Sequence, residues 1–125
     1  MTGKQRNFIK GKKGELIAKE YLEQKGWKVI EINYQNKLGE IDLIMSAKDW
    51  LVIVEVKLKV TDKYGLPEEM IKKEKLTKVR KIAESYLMVK PDIRDKFKKY
   101  RIDGVCILTD DNFEVVSINH YENLY

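Results

Sequence analysis

The sequence predicts a mixed α/β domain, a central sheet flanked by helices, in the order helix, three strands, helix, two strands (α-β-β-β-α-β-β). Three observations carry that expectation. Residues 51–58 form an aliphatic, β-branched run broken only by Glu55 and Lys57, the mark of a strand in the middle of a sheet. Two other stretches repeat apolar residues at the helical period: Gly14, Ile17, Ala18, Tyr21 and Leu22, then Leu76, Val79, Ile82, Ala83, Tyr86 and Leu87. Turn chemistry at Asn36-Lys37-Leu38-Gly39 and at Asp110-Asp111-Asn112 separates runs rich in strand-forming residues.

Taken in order, the residues up to about position 7 read as a basic, mobile terminus of a single domain spanning 1–125. A helix follows from about residue 8 to Lys25, stopped by Gly26. Glu20 and Glu23 fall on its polar side, whereas Glu15 falls beside Leu22 at the edge of the apolar stripe. Glu15 is therefore either a first-turn acid favoured by the helix dipole or an acid aimed at the sheet. Residues 27–34 read as a strand, 40–46 as a second, and 51–58 as a third, the short connections making a meander. On the second strand Ile41, Leu43 and Met45 should share one face and Asp42 and Ile44 the other. On the third, Val52, Val54, Val56 and Leu58 face one way, and Leu51, Ile53, Glu55 and Lys57 the other.

Pro67, followed by Glu68 and Glu69, starts a second helix expected to continue to about Val89, before Pro91. Lys75 lies within its apolar stripe, either snorkelling to solvent or reaching toward an anion. Residues 92–100 read as a polar connection, 101–109 as a strand and 113–119 as its returning partner. Cys106, the single cysteine, sits among Val105, Ile107 and Leu108 as a small core residue, and the lone His120 receives no role.

Composition narrows the function classes. Hydrophobic residues make up 43% and charged residues 36% of 125, which is globular rather than disordered. One cysteine permits no internal disulfide. The charged start lacks a following apolar segment, and no run approaches a membrane span, so a cytoplasmic protein with no membrane partner is expected. A net charge of +5 mildly favours an anionic partner such as nucleic acid.

Three charged residues interrupt apolar strands: Asp42, Glu55 and Lys57. Two carboxylates brought together repel unless a cation lies between them, and oxygen-only ligation suits Mg²⁺, with Mn²⁺ as substitute. A lysine on the same face can position or help deprotonate the attacking water, or neutralise charge growing on a phosphate. The set is suited to metal-assisted phosphodiester hydrolysis. The plainer reading of Glu55 and Lys57 is a same-face ion pair at a strand end. No Gly-rich phosphate loop, paired Cys or His, or nucleophile elbow competes.

Several blocks in order resemble a known family: Gly11-x-x-Gly14-Glu15, Asn33-Tyr34, Gly-Glu-Ile-Asp-Leu-Ile at 39–44, Val-Glu-Val-Lys at 54–57, Tyr64-Gly65, Lys75, Ala83-x-x-Tyr86-Leu87 and Arg101-Ile102-Asp103. Over about residues 11–119 the chain is similar to the bacterial YraN family, related to Holliday-junction resolvases in the PD-(D/E)XK nuclease superfamily with its restriction-endonuclease-like fold. The resemblance implies that Asp42, Glu55 and the backbone carbonyl of Val56 hold Mg²⁺, that Lys57 is the catalytic lysine, and that Glu15 is an added acid acting on the metal directly or through water. It implies a phosphate contact from Lys75. Ile41 stands where the superfamily's name has proline, Gln35 and Lys59 stand where family members more often carry arginine, and Gly104 replaces a bulkier residue.

The function expected is thus a Mg²⁺-dependent endonuclease acting on DNA, with branched DNA as a substrate and a homodimer as the assembly by analogy with resolvases. The alternative is a nucleic-acid-binding module without hydrolysis. In either reading Lys12 and Lys13 near the terminus, Lys59, and Lys72, Lys75 and Lys78 of the second helix are the candidate nucleic-acid contacts.

Overall fold

In the computed structural model, which describes residues 2–61, 63, 65–97 and 99–125, the chain opens with helix α1 (Gly3–Gln24). Strands β1 (Lys28–Asn36), β2 (Gly39–Ala47) and β3 (Trp50–Val60) follow as an antiparallel meander. A 3₁₀ turn (Pro67–Met70), helix α2 (Lys73–Val89) and the short helix α3 (Pro91–Lys96) lead to β4 (Lys99–Thr109) and β5 (Val115–Tyr121). The sheet order is β1-β2-β3-β4-β5, with β3 and β4 parallel and every other pair antiparallel. The crossover through α2 is what a parallel neighbour requires. None of the described helices is long and apolar enough to cross a membrane.

The two faces of the sheet carry separate cores. Ala18 and Leu22 of α1 pack on Leu43, Met45, Val52, Val54, Val56 and Leu58, together with Val105 and Ile107. Val79, Ile82, Ala83 and Tyr86 of α2 cover the other face, against Ile41, Ile44, Leu51, Ile53 and Ile102. β3 therefore alternates between two cores as its period-2 pattern predicts. Each of its fully buried aliphatic side chains is worth about 1.5–3 kcal/mol of removed apolar surface.

Four expectations are corrected. The first helix begins at Gly3, not near residue 8, because Thr2 and Gln5 form a capping box: the Thr2 hydroxyl accepts the Gln5 N–H at 3.1 Å, and the Gln5 side chain accepts the Thr2 N–H at 2.8 Å. The second helix does not run on from Pro67. Ile71 is extended (φ −95°, ψ 100°), and its side chain lies over Gly104, where an added Cβ would stand 3.0 Å from Ile71 Cδ1 and 2.8 Å from Leu124 Cδ1. The 92–100 connection contains α3, with Pro91 at its first position, and β4 begins two residues before Arg101. Ile41 shares the α2-side core with Ile44, not the α1-side core with Leu43 and Met45. Opposite that switch, Asn33 takes φ 54°, a left-handed conformation that asparagine tolerates better than most residues, and the strict alternation of both strands lapses there.

His120 also has a role that sequence reading did not assign. Its ring is edge-on to Trp27, with centroids 5.2 Å apart. The Lys25 ammonium donates to Nδ1 at 3.1 Å, so Nε2 carries the proton and donates to Asp103 at 2.8 Å. Asp103 is fully buried and also accepts from Arg101 Nε and the Asn123 N–H. Burial alone would raise its pKa; the donors from His120, Asn123 and Arg101 outweigh that and hold it below the ordinary aspartate value. The network ties the end of α1, β4, β5 and the C-terminal tail together. Cys106 is buried as expected, its thiol pushed up to about 12 by burial.

Gly14 sets how closely α1 approaches β3: a Cβ there would meet Leu58 Cβ at 3.3 Å and Val56 Cγ1 at 3.4 Å. Gly14→Val should force the helix off the sheet and destabilise the fold by about 1–3 kcal/mol. Urea denaturation followed by circular dichroism should show this as a lower midpoint with an unchanged slope.

Candidate active site

The site forms where β2 and β3 part. Their paired residues run from Ala47 opposite Trp50 to Leu43 opposite Val54, and there the backbone ladder ends. The next residue of β2, Asp42, supplies the bond itself: its Oδ2 accepts the Val56 N–H at 2.9 Å. A side chain thus replaces a main-chain partner and holds a carboxylate against the middle of β3. Glu55, the neighbouring residue there, is 1% exposed.

The two carboxyl groups lie close enough that each perturbs the other. Burial raises the pKa of both. For Glu55, burial and then the charge of Asp42 push it up to about 7, with Lys75 and Lys57 opposing. For Asp42 the rise from burial is opposed by the Val56 N–H and by Lys57. The pair as a whole thus holds a proton to higher pH than free carboxyls would. One Glu55 oxygen, Oε2, is buried with no hydrogen-bond partner. The ammonium groups of Lys57 and Lys75 each stand 3.8 Å from that oxygen, beyond hydrogen-bond reach but close enough for strong attraction.

Glu15 faces the same region from α1. It shares a cleft of about 380 Å³ with Asn33, Asp42, Val56 and Lys57. Lys12 lies 3.7 Å from its carboxylate. The Asn33 amide, oriented so that both ends are satisfied, donates to both Glu15 oxygens and accepts from Lys12 Nζ at 2.7 Å. Burial raises the Glu15 pKa against the pull of Lys12, and the charges of Asp42 and Glu40 add to the rise. Of the two readings left open by the helical wheel, the structure selects the acid aimed at the sheet. Lys75 likewise reaches an anion, Glu55, with its side chain 38% exposed.

Asp42, Glu55, Val56, Lys57 and Lys75 therefore converge, with Glu15 and Lys12 across the same cleft. The remaining candidate contacts are more dispersed. Lys13 turns to the ring of Phe113, 5.5 Å from its centroid, and Lys78 lies along Gly39. Lys72 is exposed at the N-cap of α2, and Lys59 is half-buried near the end of β3. Gln35 is committed to Glu40 at 2.8 Å. Tyr64 lies outside the described residues. Sequence reading gave Asn33 no role beyond its place in a family block, although an asparagine inside a β-branched run was the available signal.

Among the described residues no three acid, His or Cys side chains gather as a metal-binding group. The carboxylates that meet are two, Asp42 and Glu55. That number suits a hard cation that keeps several waters, and the unpartnered Oε2 of Glu55 is an oxygen such a cation would satisfy.

Comparison with known proteins adds the family. The model of "Uncharacterised protein family UPF0102" matches residues 14–118. The chain belongs to UPF0102. A UPF0102 protein of Persephonella marina is 41% identical over 109 residues, covering 87% of this chain and 91% of the relative. A second, from Caldanaerobacter subterraneus, is 37% identical over 118 residues, with 92% and 93% covered. A third, from Dictyoglomus thermophilum, is 33% identical over 115 residues, with 92% and 95% covered. The UPF0102 match includes Glu15, Asp42, Glu55, Lys57 and Lys75, whereas Lys12 lies just before it.

The raised carboxyl has a consequence for stability. Glu55 binds its proton more tightly folded, near pH 7, than unfolded, near its ordinary 4.5. Its contribution is fully present below about 4.5 and is lost as pH rises through 7. In metal-free buffer, urea midpoints measured from pH 4.5 to 8 should fall more steeply for the native protein than for Glu55→Gln. The difference at pH 8 should be a few kcal/mol in favour of the variant.

Proposed function

We propose that this UPF0102 protein is a Mg²⁺-dependent nuclease of the PD-(D/E)XK superfamily, hydrolysing phosphodiester bonds in DNA. The observation that carries the reading is the buried, unpartnered Oε2 of Glu55, beside Asp42 and within 3.8 Å of two lysines. An isolated ion pair would leave no reason to bring a second carboxylate and a second ammonium to the same buried oxygen.

Asp42 and Glu55 are the side chains that would hold the cation, with the Val56 carbonyl as the backbone donor that the family resemblance implies. When bound, Mg²⁺ supplies Lewis-acid polarisation of a phosphoryl oxygen and charge neutralisation. The protein's own residues account for the rest. The Val56 N–H fixes the Asp42 carboxylate so that it need not reorganise. Lys57 donates N–H to the attacking water and to the phosphoryl oxygens as their charge grows. Lys75, half-exposed beside Glu55, holds the neighbouring phosphate. Glu15, raised in pKa and inside the cleft, accepts the proton that water loses. A new P–O bond to the water oxygen forms as the bond to the leaving oxygen breaks, and the leaving oxygen takes a proton from solvent water in the open cleft. A second reading, DNA binding without hydrolysis, is favoured by one observation: Asp42 already spends one oxygen on Val56 and meets a single further acid.

Cleavage assays on duplex, single-stranded and branched DNA with Mg²⁺ or Mn²⁺ separate the two. Lys57→Ala and Asp42→Asn should each lower the rate by about 100-fold or more. Mn²⁺ should raise the melting temperature of the native protein and leave Asp42→Asn unmoved. Binding that is salt-sensitive, indifferent to Asp42→Asn and unaccompanied by cleavage of any substrate would establish the binding module instead.

A further inference from the structure

The first three turns of α1 are built for something other than the core. Residues 2–9 are all exposed, and Gly14 is the first buried residue of the helix. Yet the segment carries a capping box, a device that stabilises a helix where packing does not. From Gly3 to Gly14 it holds Lys4, Arg6, Lys10, Lys12 and Lys13 and no acid. Its one aromatic residue, Phe8, is 66% exposed.

The helical period decides where that ring stands. Phe8, Gly11, Lys12 and Glu15 are spaced i, i+3, i+4 and i+7, and all four line the cleft that contains Asp42 and Lys57. Gly11 is not glycine for packing, since a Cβ there would meet nothing within 4 Å. Its effect is to leave an open floor between the Phe8 ring and the acids. Phe8 and Glu15 are about 10 Å apart along the axis, at about 1.5 Å per residue. That is about three nucleotides at a stacked rise of about 3.4 Å. Lys12 stands beside both ends, 5.7 Å from the Phe8 centroid and 3.7 Å from Glu15.

We infer that the N-terminal half of α1 is a landing strip for single-stranded DNA, with one unstacked base seated on Phe8 and with Lys4 and Lys12, on the same helix face, on the phosphates leading into the cleft. The inference rests on the nuclease reading for the direction of the strand, and not for binding itself. An exposed ring with cations and no acid matches the two needs of a single strand, a π-face for a base and positive charge for the backbone. A fully paired duplex offers no free base face and would use the cations alone. The site thereby selects DNA with an unpaired strand next to the bond cut.

The test uses the full chain in EDTA, so that no hydrolysis intervenes. An oligothymidine 12-mer with one 2-aminopurine reports stacking by quenching, and anisotropy reports affinity. Phe8→Ala should weaken binding about ten-fold and abolish the quenching, while Phe8→Trp retains both. Affinity for a blunt duplex should stay the same in Phe8→Ala. Circular dichroism should show the variants folded, since the ring is largely exposed. Equal loss on single strand and duplex, no loss on either, or tighter binding of the matching RNA would overturn the assignment. So would sedimentation showing that Phe8→Ala merely splits a dimer while single-strand binding persists. If no substrate is ever cleaved but Phe8-dependent quenching is present, the nuclease reading fails and this site stands.

Discussion

One hydrogen bond organises the candidate site of this molecule, the Val56 N–H donated to the Asp42 carboxylate. A buried main-chain donor must find a partner, and in a regular sheet a carbonyl of the next strand would serve. Here β2 joins β3 only from Leu43 onward, and the Asp42 side chain, one residue before, takes the carbonyl's place. The parting opens the cleft, and the substitution stations a charge at its edge. Glu55 then cannot ionise freely beside it, and its buried oxygen faces two ammonium groups at a distance too long for hydrogen bonds. A continued β2–β3 ladder would have given the Val56 N–H a carbonyl partner and left the Asp42 carboxylate no place there.

The two helices complete the site from opposite faces of the sheet. α1 approaches because Gly14 has no side chain over Val56 and Leu58, and this brings Glu15 and Lys12 to the cleft. α2 packs on the other core and offers Lys75 from its first turn. α2 starts as a separate helix after the extended Ile71, whose side chain occupies the space that Gly104, paired with Glu55, leaves open. The polar network around Asp103 holds the other end, its buried carboxylate accepting from Arg101, His120 and the Asn123 N–H.

Much of this was legible in the chain itself. The alternation of residues 51–58 between two cores, both helical stripes and the meander follow from apolar period alone, because burial of one face is what selects an element's type. The odd charges Asp42, Glu55 and Lys57 were visible because apolar strands surround them. The helix start at Gly3 was missed because the capping box precedes any apolar stripe, and the stripe was the signal used. The face of Ile41 was missed because a left-handed asparagine on the neighbouring strand breaks a period that one strand's sequence cannot report.

What the sequence by itself determined is the set of elements, the two apolar faces and the presence of charges that a buried strand would not ordinarily carry. What only the tertiary structure decided is which of those charges meet. Asp42 and Glu55 are thirteen residues apart along a hairpin, and their contact depends on where the ladder stops. Lys75 and Glu15 come from opposite layers, and only closure of both cores brings Lys75 to Glu55 and Glu15 into the cleft with Asp42. Periodicity records what a residue buries; it does not record what lies across the gap. That gap, between β2 and β3, is where the chemistry proposed for this protein is placed.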